Sequence, residues 1–363
     1  MENYQVYVYA LLVLGGLSVA ITVLLLLANR IFCNYGPCTI QVNEEDPFTV
    51  EGGGTLLDAL YANEIFIPSA CGGQGTCGFC KCRVLDGGGP LLPTEEPFLS
   101  PAEMINQTRL SCQVKVKEDM QVRVREEFLH VQEFQARVTR REMKTPDTVE
   151  IAFELIEPAE MEYRPGQYVQ IAIPGKKEET WRAYSICTPP SSTNEIELLV
   201  RLIPGGLGST YVHSLEVGDA VKLLGPYGDF YLDDEADLVC VGGGVGMAPM
   251  RSLFRHLAEV QPEKRCWLFF GARTTDEAIY YDDFITLAEQ MPNFEVYYAM
   301  SEPEKCPDWD GETGFIHLTA EKHLPDAGNR QAFLCGPPPM IEATTAVLTE
   351  KNIPKEKVFY DEF

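Results

Sequence analysis

Four cysteines stand where metal chemistry is possible. Cys71-Gly-Gly-Gln-Gly-Thr-Cys77-Gly-Phe-Cys80 gives a Cys-x5-Cys-x2-Cys spacing, and Cys112 supplies a fourth thiol one short element later. Gly72, Gly73, Gly75 and Gly78 leave the loop almost without side-chain bulk, so backbone amides can approach the sulfurs of a bound cluster. A [2Fe–2S] cluster requires four thiolates and such close amides. Structural zinc is the competing reading, but zinc favours two separated Cys-x2-4-Cys hooks, whereas three of these thiols crowd one loop. A Rieske centre needs two histidines, and none occurs between Cys33 and Leu129. The metal ligands expected from the sequence are therefore Cys71, Cys77, Cys80 and Cys112, around a [2Fe–2S] cluster.

Other stretches have the residue types to hold a nucleotide. Leu238-Val-Cys-Val241-Gly242-Gly243-Gly244-Val-Gly246-Met-Ala248-Pro249 leads from an apolar strand into a helix. A glycine turn after a strand admits a pyrophosphate to the amides at a helix N-terminus. The spacing departs from Gly-x-Gly-x-x-Gly, and ordinary turn glycines are the plain alternative. Arg182-Ala-Tyr184-Ser185 falls where a strand is expected, followed by Gly206-Leu-Gly208-Ser209 and Gly225-Pro-Tyr-Gly228-Asp-Phe230. Taken singly, each of these is ordinary surface or turn. Cys335-Gly336-Pro337-Pro-Pro-Met340 would by default be a buried strand-end cysteine.

The elements that must position these residues follow from periodicity. Residues from Cys38 and from Pro47 alternate like a hairpin, Thr55 opens a helix with Leu56, Leu57 and Leu60 on its apolar face, and Lys81–Leu85 reads as a strand. An acidic helix is expected near Glu95–Ile105 and a strand carrying Cys112 over Leu110–Val116. Gln135–Arg141, Thr148–Leu155, Gln167–Ile173, Ile196–Leu202 and Ala220–Leu224 are strand-like, with a helix only from Tyr211, which fits a small antiparallel β-barrel. From Leu238 the rhythm becomes strand, glycine turn, helix, as in an open parallel α/β sheet. The expected fold is multidomain: an anchor over 1–30, an α+β β-grasp domain over 36–128, a β-barrel over 132–233 and an α/β domain over 234–363.

Val6 to Ala28 contains no charged residue. As a helix these residues extend about 34 Å, against a hydrocarbon core of about 30 Å. A signal peptide wants a positive start and a short apolar core, whereas this stretch follows Glu2 and is longer. A single retained span over 6–28 is expected, with Arg30 at its end placing the rest of the chain in the cytoplasm. Gly16 and Ala20 are spaced to admit a partner helix. The formal net charge of −25 excludes nucleic acid as a natural partner. The twelve cysteines are not grouped like a disulfide framework; outside the cluster loop they sit in apolar runs, as free thiols do in a reducing compartment.

Residues 38–127 resemble a plant-type or adrenodoxin-type ferredoxin, with Cys71, Cys77, Cys80 and Cys112 at its four ligand positions. Cys82 has no place in that pattern and reads as a packed strand residue. Arg182-x-Tyr184-Ser185, the Gly206–Ser209 turn, the Gly225–Phe230 run, the glycine turn and Cys335-Gly336-Pro337 together resemble the ferredoxin–NADP reductase superfamily. That resemblance implies that Arg182 holds an FAD pyrophosphate, Tyr184 packs on the isoalloxazine and Ser185 donates to flavin N5. It also implies that Gly206, Gly208 and Ser209 contact phosphate, and that Gly242, Gly243, Gly244, Gly246, Ala248 and Pro249 contact the dinucleotide. Cys335, Gly336 and Pro337 would stand beside nicotinamide, with Phe363, or else Tyr360, as a lid over the flavin; a strand-end core aromatic is the plain alternative. The NADP-using relatives have Ser-Arg where this chain has Ser301-Glu302, so an acidic side chain there favours NADH; Arg273, near the same ribose, is the residue that would accommodate a 2′-phosphate.

The order of anchor, ferredoxin, FAD barrel and NADH domain, with the run Gly87–Glu95 after the cluster strand, most resembles the NADH-oxidising F subunit of sodium-pumping NADH:quinone oxidoreductases. That implies electron flow from NADH through FAD and [2Fe–2S] to other membrane subunits and finally quinone, at the bacterial inner membrane. A membrane-tethered reductase feeding a mono- or dioxygenase is the alternative. Cys33 and Cys38 lie outside the pattern and read as ordinary residues.

Overall fold

A computed structural model describes residues 12–24, 35–69, 71–175, 179–228, 232, 235–326 and 328–362. Residues 12–24 form helix α1, whose aliphatic side chains are exposed. Among the described residues no helix is long and apolar enough to cross a membrane; Val6, Ala28 and Cys33 lie outside them. The chain divides into two compact units, Met1–His130 and Val131–Phe363.

In the first unit, β1 (Pro37–Val42) and β2 (Phe48–Glu51) pair as the expected antiparallel hairpin. With β3 (Lys81–Asp86), β4 (Thr108–Leu110) and β5 (Met120–Arg123) they make a sheet of order β2-β1-β5-β3-β4. Its apolar side is covered by α2 (Leu56–Tyr61), which buries Leu56, Leu57 and Leu60. Thr55 caps α2 by accepting from the Asp58 amide at 3.1 Å and donating to its carboxylate at 2.6 Å. This is the α+β arrangement expected. Two local expectations give way. The helix near 95–105 is a 3-10 turn at Glu96–Phe98 followed by α3 (Pro101–Ile105), because Pro97 and Pro101 each lack the amide a continuous helix needs. The strand expected over Leu110–Val116 ends at Leu110, and Cys112 sits in the turn beyond it.

The second unit begins with β6 (Gln132–Thr145), β7 (Thr148–Glu157), β8 (Tyr168–Ile173), β9 (Thr180–Ser185), β10 (Glu195–Arg201) and β11 (Ala220–Tyr227). Their order is β10-β7-β6-β11-β8-β9, all antiparallel. An Ile186–Leu198 bridge and a Cys187 amide donating to the Glu197 carbonyl at 2.8 Å join the two ends, closing the barrel. Phe134, Val149, Ile151, Phe153, Ile171 and Leu198 fill its interior. Helix α4 runs Leu207–Ser214, starting earlier than the Tyr211 expected, so Ser209 lies inside it.

The remaining strands β12 (Asp237–Gly243), β13 (Cys266–Ala272), β14 (Phe294–Met300), β15 (Glu312–Thr313), β16 (Arg330–Gly336) and β17 (Val358–Glu362) form a parallel sheet of order β15-β14-β13-β12-β16-β17. Helices α5 (Met247–Val260) and α6 (Tyr281–Gln290) cover one face; α7 (Ile316–His323) and α8 (Pro338–Glu350) cover the other. The central strands are buried on both sides, which is why Leu238–Val241 and Trp267–Phe270 are continuous apolar runs.

Candidate functional site

The cysteine loop is built by its backbone. Gly72, Gly73, Gly75 and Gly78 all take left-handed φ values, between 66° and 82°, a region costly for residues with a Cβ. A side chain at Gly75 would collide with the Gln113 amide, and one at Gly78 would lie 2.9 Å from the Phe98 ring. The resulting loop brings the thiols together in two pairs, Cys71 with Cys77 at 3.3 Å and Cys80 with Cys112 at 3.2 Å. Two thiolates sharing one tetrahedral metal at about 2.3 Å lie roughly 3.8 Å apart, so each pair would open slightly to take one iron of a two-iron cluster. Among the described residues no three His, Cys, Asp or Glu side chains converge as a single-ion site would need.

Two of the four thiols are held towards the thiolate, while burial raises Cys77. Burial opposes ionisation of Cys71, but the Thr76 amide and hydroxyl and the Cys77 thiol and amide bring its pKa down to about 6. The Cys80 thiol, and then Gln113, hold Cys112 down to about 7 against burial. Cys80 is shifted upward by donating to Cys112 and by burial. Cys82 is a buried β3 residue whose thiol burial pushes up to about 12; it packs as the sequence suggested.

A clamp beside this site escaped sequence reading. Arg109, on β4, and Glu95 are both buried. The guanidinium meets the Glu95 carboxylate at 2.7, 3.0 and 3.1 Å and donates to the Gly88, Gly89 and Pro90 carbonyls at 2.8–3.0 Å. Glu95 also accepts from the Leu92 and Leu110 amides at 2.9 Å. The whole Gly87–Glu95 run is thereby tied to the segment that leads to Cys112. A glutamate ending a Gly/Pro run was its only trace in the sequence.

In the second unit, Arg182, Tyr184 and Ser185 lie on β9, all half-buried. Burial pushes the Tyr184 hydroxyl up to about 12. Gly206 is the N-cap of α4, where no side chain caps the first turn, and Ser209 accepts from the Ile203 amide at 3.0 Å. A Cβ at Gly208 would lie 2.6 Å from the Tyr184 hydroxyl and 2.7 Å from Arg182 Cγ. Only a glycine lets the uncapped helix start approach the Arg-x-Tyr-Ser strand; the Arg182 guanidinium donates to the Trp181 carbonyl at 2.8 Å, and uncapped amides close to an arginine side chain suit a pyrophosphate.

Gly242 and Gly243 end β12 instead of lying in the turn beyond it, and Gly244–Gly246 make one 3-10 turn into α5, which carries Ala248 and Pro249. Gly242 pairs with Cys335 on the neighbouring β16. Gly336 ends β16, and Pro337 precedes α8. A side chain at Gly246 would collide with the Cys335 carbonyl. Strand order reverses at β12, so the glycine turn and Cys335 meet at the crevice where open α/β sheets take ligands. Cys335 is buried, and burial and then the Asp361 carboxylate drive its pKa well up.

Arg273 and Ser301-Glu302 follow the adjacent strands β13 and β14, and the Glu302 amide donates to the Arg273 carbonyl at 2.9 Å. Arg273 is ion-paired with Glu277, and Glu302 with Lys305, which lowers its pKa. Phe363 lies outside the described residues.

Known families match three regions of the chain. A 2Fe-2S iron-sulfur cluster binding domain family matches residues 39–117, an oxidoreductase FAD-binding domain family 135–231 and an oxidoreductase NAD-binding domain family 240–346. FAD, NAD and a [2Fe–2S] cluster are therefore the cofactors, as expected from the sequence. The structure is similar to a cytochrome P450 reductase from Amycolatopsis, with 28% identity, a TM-score of 0.70 and coverage of 90% of this chain and 98% of that one. It is also similar to the ferredoxin reductase in carbazole 1,9a-dioxygenase, at 26%, 0.68, 90% and 99%. In sequence the chain is 34% identical, over all of both chains, to the F subunit of the Na(+)-translocating NADH-quinone reductase of Pseudomonas paraeruginosa. It is 36% identical to that of Neisseria gonorrhoeae over 95% of this chain and 96% of the relative. The chain belongs to the family of F subunits of Na(+)-translocating NADH-quinone reductases.

Proposed function

We propose that the chain oxidises NADH and passes the electrons through FAD and a [2Fe–2S] cluster to partner membrane subunits and finally quinone, within a sodium-translocating complex. The observation that carries this is the pairing of Gly242 with Cys335 at the sheet crevice, in one compact unit with the Arg182 strand. Bound FAD supplies acceptance of a hydride and return of its electrons one at a time. Arg182 and the uncapped start of α4 (Gly206, Gly208 and Ser209) hold the FAD phosphates, Tyr184 packs on the ring and Ser185 donates to it. The glycine turn, Ala248 and Pro249 hold the NADH pyrophosphate, and Cys335, Gly336 and Pro337 border the nicotinamide. The paired carboxylate of Glu302 repels a 2′-phosphate, and Glu277 already occupies Arg273; both favour NADH over NADPH. Cys71, Cys77, Cys80 and Cys112 would hold the [2Fe–2S] cluster, which would supply one-electron transfer. Functional boundaries lie at 36–128, 132–233 and 234–363.

The uncharged stretch over 6–28 anchors the chain in the inner membrane with the redox domains in the cytoplasm; exposed aliphatics along α1 support this. Purification from membranes tests the assembly. Other membrane subunits and sodium-dependent NADH:quinone activity are expected to accompany the chain. The likeness to reductases of a P450 and a dioxygenase favours a second reading, in which an oxygenase component would co-purify in their place.

A further inference from the structure

We propose that Arg251 and Ser252, on α5, are positioning residues that fix the angle at which the nicotinamide meets the flavin; this rests on the two nucleotide sites proposed above. Helix α5 begins at the glycine turn and carries both residues in its second turn. Arg251 is buried and points across to the barrel. Its Nη1 pairs with Glu197 of β10 and lies 3.7 Å from Glu150 of β7. Its Nε meets Asp283 at 3.0 Å, and its guanidinium lies 4.6 Å from the centre of the Tyr280 ring. Tyr280 in turn donates to Glu150 at 2.6 Å. Ser252, fully buried, donates to the Thr188 carbonyl at 2.6 Å. Thr188 stands three residues past Ser185, so this bond ties the flavin-side strand directly to the helix that starts at the dinucleotide turn.

An apolar contact would hold the two domains together without fixing their rotation, because hydrophobic burial is non-directional. Charge-assisted hydrogen bonds are directional. Burying ions is costly unless each is paired, and here Glu150 and Glu197 are shared between Arg251 on one side and Arg140 of β6 on the other. Hydride transfer needs the reacting atoms aligned at about 3–3.5 Å. A small rotation of α5 against β7 and β10 would spoil that alignment and leave both cofactors bound.

The test uses the full-length, FAD-loaded protein with Arg251→Met, Arg251→Lys and Ser252→Ala. Four quantities are read: FAD content, the NADH concentration dependence of flavin bleaching, the limiting bleaching rate with NADH and with C4-deuterated NADH, and the long-wavelength charge-transfer absorbance formed with nicotinamide. For Arg251→Met, unchanged FAD content and an NADH dependence within threefold are expected. Its limiting rate should fall at least tenfold, with a larger isotope effect and a weaker charge-transfer band. Arg251→Lys should recover part of both, and Ser252→Ala should lose about threefold in rate. An unchanged limiting rate and band in Arg251→Met overturns the proposal, as does a rate that falls only in proportion to lost FAD. Should Arg251→Met not fold, Ser252→Ala decides alone: a slowed rate with a weakened band supports the proposal, and wild-type values for both overturn it. Failure of the unsubstituted protein to bleach with NADH would sink the nucleotide reading itself and this inference with it.

Discussion

The thiol loop and the nucleotide unit hold redox groups in contrasting ways. The first is local: ten consecutive residues and Cys112, shaped by four left-handed glycines and braced by one buried ion pair. The second is distributed. The residues proposed for it come from β9, the start of α4, and the ends of β12, β13, β14 and β16, elements that a closed barrel and a wound parallel sheet gather into one unit. A local site depends on backbone conformation; a distributed one depends on how domains register. Damage to one should therefore leave the other readable.

The sharpest contrast is between two substitutions. Arg182→Leu should release FAD and stop NADH oxidation by every acceptor, which absorbance of the purified protein and an NADH:ferricyanide assay will show. Cys77→Ala should erase the cluster signal and quinone reduction while NADH:ferricyanide activity continues. Loss of the ferricyanide activity in Cys77→Ala would mean that the two sites are not separable.

Next in size is Arg109→Met, which strands the buried Glu95 carboxylate. Breaking a buried pair from one side costs about 3–5 kcal/mol, so the melting transition followed by cluster absorbance should fall steeply while FAD content holds. A cluster transition at the wild-type temperature would remove the clamp from the account.

Glu302→Ala acts inside the distributed site. The ratio of NADPH to NADH activity should rise about tenfold, equivalent to about 1.4 kcal/mol. A ratio that stays put would take Glu302 out of cofactor choice.

The smallest effect belongs to Glu103, at the N-terminal end of α3. Donation from Lys81 and then the Ser100 amide lower its pKa to about 2 from 4.5. A depressed carboxylate stabilises the fold above its unfolded pKa, and that contribution fades as pH falls through the folded value. Denaturant midpoints of wild type and Glu103→Gln should therefore differ above about pH 4.5 and converge towards pH 2. A gap that widens in acid would contradict the assignment.

The same contrast explains what could be read from sequence. Cys71–Cys80 announced itself because ligand spacing and loop glycines are written contiguously, and the β-grasp strands because they alternate. Arg182 and Cys335 became legible only as motifs, since nothing local says that β9 will face α4 or that β12 will pair with β16. The start of α4 was set too late because Gly206 and Gly208, which look like turn residues, are needed for close approach at its first turn. Glu95–Arg109 left only the glutamate that ends a Gly/Pro run, and the Glu150–Arg251–Tyr280 network left nothing: a lone charged residue reads as solvated until its partner is brought in from another element.

Electron passage from NADH to the four-thiol site within this one chain is open to direct measurement. Anaerobic addition of NADH to the purified, cofactor-loaded protein, followed together by flavin absorbance and low-temperature EPR, tests it most directly. Flavin bleaching is expected, accompanied by a reduced [2Fe–2S] signal that is absent from Cys77→Ala. A flavin that bleaches while the unsubstituted protein stays EPR-silent, or a signal that survives Cys77→Ala, would contradict it.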